Sequence, residues 1–224
     1  MGQRSQIYIR IADNYNEQPK LFAKYFQWNF AERMISRARY GMEYIKDNAE
    51  YLASDTIKEK INKIFDINFD MKDVVLSTDI LKEWIESSSR YYELEEVNHY
   101  IFYAQDNNDG KLFIDVDKNG NIKYCLTDYD MKILSPKKYM DWDFENWENS
   151  EYLDKEDVEI CKKNIEYIKQ NAKQMTQEEL QKFKDFDYSK QIIEMAEKLK
   201  IPIKAKDIAN HIIEQNQDEI DICE

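Results

Sequence analysis

"SQIYIRIA", residues 5–12, alternates Ile7, Ile9 and Ile11 with Gln6, Tyr8 and Arg10, the period-two pattern of a strand whose isoleucines share a buried face. A polar stretch, "DNYNEQP" (13–19), leads into "KLFAKYFQW" (20–28), which sets Phe22, Phe26 and Trp28 on one face and Leu21, Ala23 and Tyr25 on the other. The two segments predict a hairpin covered on both faces. Asn29 then stands three residues before Glu32, the spacing of a capping box with Asn in place of Ser or Thr, so a helix is expected from there to about Leu52. Met34, Ala38, Gly41 or Met42, Ile45, Ala49 and Leu52 make its core stripe, and Arg33, Arg37, Tyr40 and Tyr44 form a second stripe beside it.

Farther along, apolar spacing predicts helices over 55–66 and 79–92, and strands in "NHYIFYAQ" (98–105), "KLFIDVD" (111–117) and "NIKYCLT" (121–127). The linking "DNNDGK" and "KNG" are turn-forming, so these three strands read as a meander. From Asp154 onward the pattern is helical, over 154–174, 177–199 and 205–217. The expected fold is α+β: an antiparallel sheet made of the N-terminal hairpin and the meander, packed with helices, followed by a helical C-terminal region. A sheet-and-helix domain over 1–145 and a helical region over 146–224, packed on the first, are the expected divisions.

The net charge of −13 repels free nucleic acid, so direct duplex DNA binding is not expected. Cys125, Cys161 and Cys223 are widely spaced with no C-x-x-C, which points to reduced thiols rather than a disulfide framework or a zinc site. No apolar run has the length of a signal peptide or membrane span, so a soluble cytoplasmic protein is expected. "DVDKNGNIKYCL" puts Asp115, Asp117, Asn119 and Gly120 at the first, third, fifth and sixth positions of a calcium loop, but Leu126 occupies the twelfth, where a bidentate acid belongs. A β-turn is the simpler reading, and no metal or cofactor is expected. Four glycines and two histidines, His99 and His211, leave no phosphate loop, no G-x-S-x-G and no H-E-x-x-H, so no catalytic residue is assigned.

Charge is distributed unevenly. Residues 140–159, "MDWDFENWENSEYLDKEDVE", hold nine acids against Lys155 alone, a net of −8 out of −13. Trp142, Phe144 and Trp147 lie among them, so Asp141, Trp142, Asp143, Phe144, Glu145, Trp147 and Glu148 form a candidate surface for a basic protein partner, such as a nuclease or other nucleic-acid-handling complex. A solvated linker whose aromatics dock on the core is the alternative. The first 46 residues carry eight bases and four acids, a net of +4, and five of the six arginines. Arg10, Arg33, Arg37, Tyr40 and Tyr44 therefore make a candidate anion or nucleotide site, with guanidinium forks beside phenol rings. Internal ion pairing is the other use open to these arginines.

"RSQIYIR" (4–10) followed by "KYFQWNFAERMISRARYGMEYI" (24–45) resembles a recurrent N-terminal motif in an uncharacterised family of low-GC Gram-positive bacteria and their phages. The resemblance covers about the first 46 residues and implies no activity or site. A phage or mobile-element origin makes a non-enzymatic anti-defence inhibitor an expectation, an anti-CRISPR role among them, with an acidic surface engaging a nucleic-acid-binding protein.

Overall fold

The computed structural model describes residues 4–12, 18–66, 77–91, 96–141, 144–146 and 154–203. It is an α+β protein. Arg4–Ile11 (β1) and Lys20–Gln27 (β2) form the antiparallel hairpin, in register Ile7↔Lys24 and Ile9↔Phe22. After Glu32–Asp47 (α1), a short 3-10 turn at Ala49–Tyr51, Asp55–Ile64 (α2), Ser77–Asp79 (β3), Ile80–Tyr91 (α3) and Val97–Tyr103 (α4), the chain returns to the sheet. There Lys111–Val116 (β4) and Ile122–Thr127 (β5) pair antiparallel. Ile133–Leu134 (β6), Pro136–Met140 (α5), Lys155–Asn171 (α6), Lys173–Gln174 (β7), Gln177–Asp185 (α7) and Ser189–Leu199 (α8) complete the described elements.

The sheet order is β3-β2-β1-β4-β5-β6, with β7 alongside β5. Most pairings are antiparallel, but β5 and β7 run parallel, and so do β1 and β4, Ile7↔Leu112 and Ile9↔Ile114, so the hairpin and the second strand pair join through a crossover rather than a meander. The outer strands are two or three residues long, which limits the exposed edges through which sheets aggregate.

"NHYIFYAQ" is the main departure from the sequence expectation, because it forms helix α4. Its buried residues Val97, Ile101 and Phe102 fall at i, i+4 and i+5, on one helical face; in a strand the adjacent Ile101 and Phe102 would face opposite sides. The expected helix over 177–199 is broken at Phe186–Tyr188 into α7 and α8. The expected helix over 205–217 lies outside the described residues.

The chain divides into two compact units: residues 1–78 with 106–183, and residues 79–105 with 184–224. The expected boundary at 145/146 thus falls inside the first unit, where α6 packs back on α1. In the first unit one sheet face, carrying Ile7, Ile9, Leu112, Ile114, Tyr124 and Leu126, packs against Met34, Ala38, Met42 and Ile45 of α1. On the opposite face Tyr8 stacks on Phe113 at 4.8 Å, and Phe183 of α7 meets Phe113 edge-on at 5.5 Å. Beside them Arg10, Asp115 and Lys123 lie in register across β1, β4 and β5, and Glu179 of α7 closes the row against Lys123 at 2.9 Å.

The second unit packs α3 against α4 and α8 around Trp84, Ile85, Ile101, Phe102 and Ile192. Asn98 of α4 donates 2.9 Å hydrogen bonds to the carbonyls of Lys184, in the last turn of α7, and Phe186, just beyond it. His99 stacks on Tyr103, whose hydroxyl accepts a 2.6 Å bond from Lys184.

Gly41 shows how closely α2 approaches α1. A Cβ there would lie 2.1 Å from the ring of buried Phe65. Alanine ordinarily stabilises a helix by about 1 kcal/mol over glycine. Gly41→Ala is instead expected to cost about 1–3 kcal/mol, because an enclosed ring must move. A urea-denaturation midpoint at or above that of the parent would contradict this.

Candidate functional site

The β2–α1 turn decides what the arginines do. Asn29 does not cap α1: the N-cap position is Ala31, at φ 49° and ψ −116°, with no side-chain cap bond. Asn29 is instead buried beneath the turn, where its Nδ2 donates to Ser5 Oγ at 3.0 Å and its Oδ1 accepts from Arg37 Nε at 2.7 Å. Ser5 Oγ in turn donates to the Asn29 carbonyl at 2.8 Å. The sequence showed the capping spacing but not Ser5, which stands 24 residues away.

Arg37 is 1% exposed, so it lies in the core rather than on an outward stripe. Its Nη1 donates to the Phe65 carbonyl at 2.5 Å, and its guanidinium lies 4.9 Å from the Phe26 ring centre. Burial pushes its pKa down to about 10, against the pull of Asp66, and the group stays charged at neutral pH. Arg10 holds Asp115 through both ends of its fork, at 2.8 and 2.7 Å, with its guanidinium 4.4 Å from the Phe183 ring centre. Arg4 pairs with Asp106, Arg39 with Glu43 at 2.8 Å, and Arg33 donates to the Trp28 carbonyl at 3.0 Å. Tyr40 is exposed beneath the Arg39 guanidinium, whereas Tyr44 is half-buried against the core.

The five residues expected to share an anion site are therefore separated by depth and by face. Arg10 is on the sheet face under α7 and Arg37 is inside the α1 layer. Helical spacing places Arg33, Arg37, Tyr40 and Tyr44 in one row, but it cannot show which side of the row is enclosed.

The acidic run divides as well. Asp141 is exposed and ends α5 in a left-handed conformation, φ 55°. Glu145 is exposed opposite Lys137 at 3.4 Å. Phe144 is only 6% exposed and belongs to the first unit's core, which corrects its expected role as a contact anchor: its ring is already desolvated. Trp142, Asp143, Trp147 and Glu148 lie outside the described residues. Asp154 caps α6 by accepting from Asp157 N at 2.8 Å, and Glu156, Asp157 and Glu159 in the next turns are exposed.

Helices α1 and α6 run side by side in the same direction. Glu32 feels Asp157, Asn164 donates to Ser36 at 3.2 Å, Arg39 stacks on Tyr167, and Lys46 reaches Asn171 at 3.0 Å. Their N-termini therefore meet, adding Glu32 to the acids of α6. Burial holds the Glu32 carboxyl above its ordinary range; its own backbone N–H and Arg33 oppose this and Asp157 adds to it. Burial also pushes the neighbouring Cys161 thiol up to about 12, leaving it a poor nucleophile. Because folded Glu32 retains its proton over a window where the unfolded chain releases it, stability falls as pH rises through that window. Glu32→Gln is expected to raise the melting temperature at neutral pH and to flatten its dependence on mild acid. An unchanged pH profile would count against the assignment.

The calcium-like stretch is a hairpin turn. The Asp117 carboxylate accepts from Asn119 N, Asn121 N and Asn121 Nδ2 at 2.8–2.9 Å, while Gly120 supplies φ +77°. Burial raises the Asp117 pKa, but these hydrogen bonds outweigh it and hold the carboxyl below its ordinary range. Asp115 is engaged by Arg10. Among the described residues no three metal-ligating side chains cluster, and no helix is long and apolar enough to cross a membrane.

No family model, curated protein or solved structure matches this chain. The reading of function therefore stands on charge, exposure and geometry.

Proposed function

We propose that this protein is a non-enzymatic binding protein that engages a basic partner through the exposed carboxylates that follow α5 and open α6. The observation that carries the reading is the disposition of charge. Arg4, Arg10 and Arg39 are each paired with a carboxylate and Arg37 is enclosed, while Asp141, Asp154, Glu156 and Asp157 are exposed, as are Glu145 opposite Lys137 and Glu159 opposite Lys162. A surface of this sign attracts lysine- and arginine-rich proteins and steers their approach. A nuclease or other nucleic-acid-handling protein is the partner class proposed, and the resemblance of the N-terminal motif to phage proteins is the ground for giving that interaction an anti-defence role.

The test reverses charge at exposed positions. Glu145→Lys, Glu156→Lys and Glu159→Lys together are expected to leave the melting temperature within a few degrees, since exposed substitutions of this kind change stability by about 0.5 kcal/mol or less each. Capture of a basic protein from a lysate of cells that carry the gene should weaken sharply, and its dependence on salt should flatten. Equal capture by the triple variant at low and high salt would refute the reading.

A further inference from the structure

We infer that the second unit carries an anion site at Lys184 and Tyr103, and that its ligand is a small phosphate monoester. Lys184 is only 6% exposed, so its ammonium is largely withdrawn from water. Lysine is almost never enclosed to this degree without a partner of opposite charge. Lys24, equally buried, obeys the rule by pairing with Asp66. Lys184 departs from it. Among the described residues no carboxylate pairs with its ammonium, which makes one hydrogen bond, to the neutral Tyr103 hydroxyl at 2.6 Å. An ammonium has three N–H donors, so two are left for an acceptor from outside the chain.

The lysine is held in place from the protein side. Asn98 of α4 grips the Lys184 and Phe186 carbonyls, which fixes the backbone that carries the side chain. Tyr103 lies on the same helix, one turn beyond His99, and the two rings stack at 5.7 Å with 23° between their planes. The Lys184 ammonium lies 5.0 Å from the Tyr103 ring centre. The phenol thus has an imidazole against its face and an ammonium at its hydroxyl. Tyr103 is 48% exposed and His99 is exposed as well, so the enclosed charge sits beside side chains that a solute can reach.

The donors select the ligand. A hydroxyl that accepts from an ammonium still has its own proton to donate, so Lys184 and Tyr103 both present donors. A phosphoryl group brings a charge of about −1.5 to −2 and three strong acceptor oxygens, enough to offset the ammonium and accept from the phenol together. The exposed imidazole adds a flat face on which an aromatic substituent of the monoester can stack.

The full chain is titrated with inorganic phosphate, AMP and acetate at fixed ionic strength, and amide chemical shifts over α4 and residues 184–188 are followed. Saturable shifts are expected there with phosphate and AMP but not with acetate; tighter binding of AMP would assign the surplus to the ring pair, equal binding would assign the affinity to the phosphoryl group alone. Lys184→Met is expected to bind at least about 10-fold more weakly, and Tyr103→Phe, which keeps the stack on His99, about 3–10-fold more weakly. Without ligand, Lys184→Met should melt at or above the parent temperature, because an uncompensated buried charge has been replaced by an apolar chain of similar length. Lys190→Met, at an exposed lysine of α8, should bind like the parent. Absence of saturable shifts, an equal response to acetate, or phosphate binding by Lys184→Met that matches the parent would each overturn the site. A melting temperature for Lys184→Met well below the parent's would show instead that the lysine is a structural strut to Tyr103.

Discussion

Replacing Arg37 by alanine is expected to lower the unfolding free energy by about 3–5 kcal/mol. The substitution removes the donors that satisfy Asn29 Oδ1 and the Phe65 carbonyl, both enclosed, and each unsatisfied acceptor costs about 1–3 kcal/mol. It also leaves a cavity beside the Phe26 ring, on which the guanidinium rests. Arg37→Met fills that space without supplying donors, so it should recover part of the loss and no more. Lysine cannot reproduce the fork that spans Asn29 and Phe65, so Arg37→Lys is expected to fall nearer alanine than the parent. Equilibrium urea denaturation measures all three. A loss below about 1 kcal/mol for Arg37→Ala would show that the acceptors find water, and that this arginine is not the strut linking α1, the β2–α1 turn and the end of α2.

Phe113→Ala is expected to cost a similar amount, about 3–5 kcal/mol, for a different reason. Phe113 is fully buried at the centre of the second sheet face, stacked on Tyr8 and met edge-on by Phe183. Its removal opens a void between β1, β4 and α7 and forfeits two aromatic contacts of about 0.5–1.5 kcal/mol each. Since Arg10 packs over Phe183, the loss should also loosen α7, seen as faster amide exchange over Gln177–Asp185. For a chain of this size the combined cost corresponds to a melting-temperature drop of about 6–20 °C. A drop under about 3 °C, with α7 exchange unchanged, would mean that the α7 side of the sheet is held by the Arg10–Asp115–Lys123–Glu179 row rather than by its rings.

The two substitutions probe opposite faces of the sheet, and both concern residues whose importance could be only half anticipated. Phe113 stood in a recognisable strand, but a strand pattern does not name the ring that will cover it. Arg37 was noticed because arginine is scarce and concentrated in this chain, yet the same scarcity fitted an anion site equally well. The acidic run was legible as charge because charge needs no neighbours to be counted. The fate of its aromatics was not, since Phe144 reached the core while its neighbour Glu145 remained exposed.

Elements whose evidence is local were legible in the order of residues alone. Alternating isoleucines gave β1, the apolar stripe and length gave α1, and the Asn-Gly turn flanked by alternating residues gave β4 and β5. The Asn119-Gly120 pair marked the turn between them, which the Asp117 carboxylate closes by accepting from Asn119 N and Asn121 N. The tertiary structure alone decided what depends on distant partners: the parallel join of β1 to β4, the helical state of 97–103, Asn29 bonded to Ser5 instead of capping α1, and the pairing of Arg10 with an acid 105 residues away. The physical reason is the same in each case. Periodicity and turn chemistry report the preference of a short segment, whereas burial and ion pairing are settled by which surfaces meet when all segments pack together.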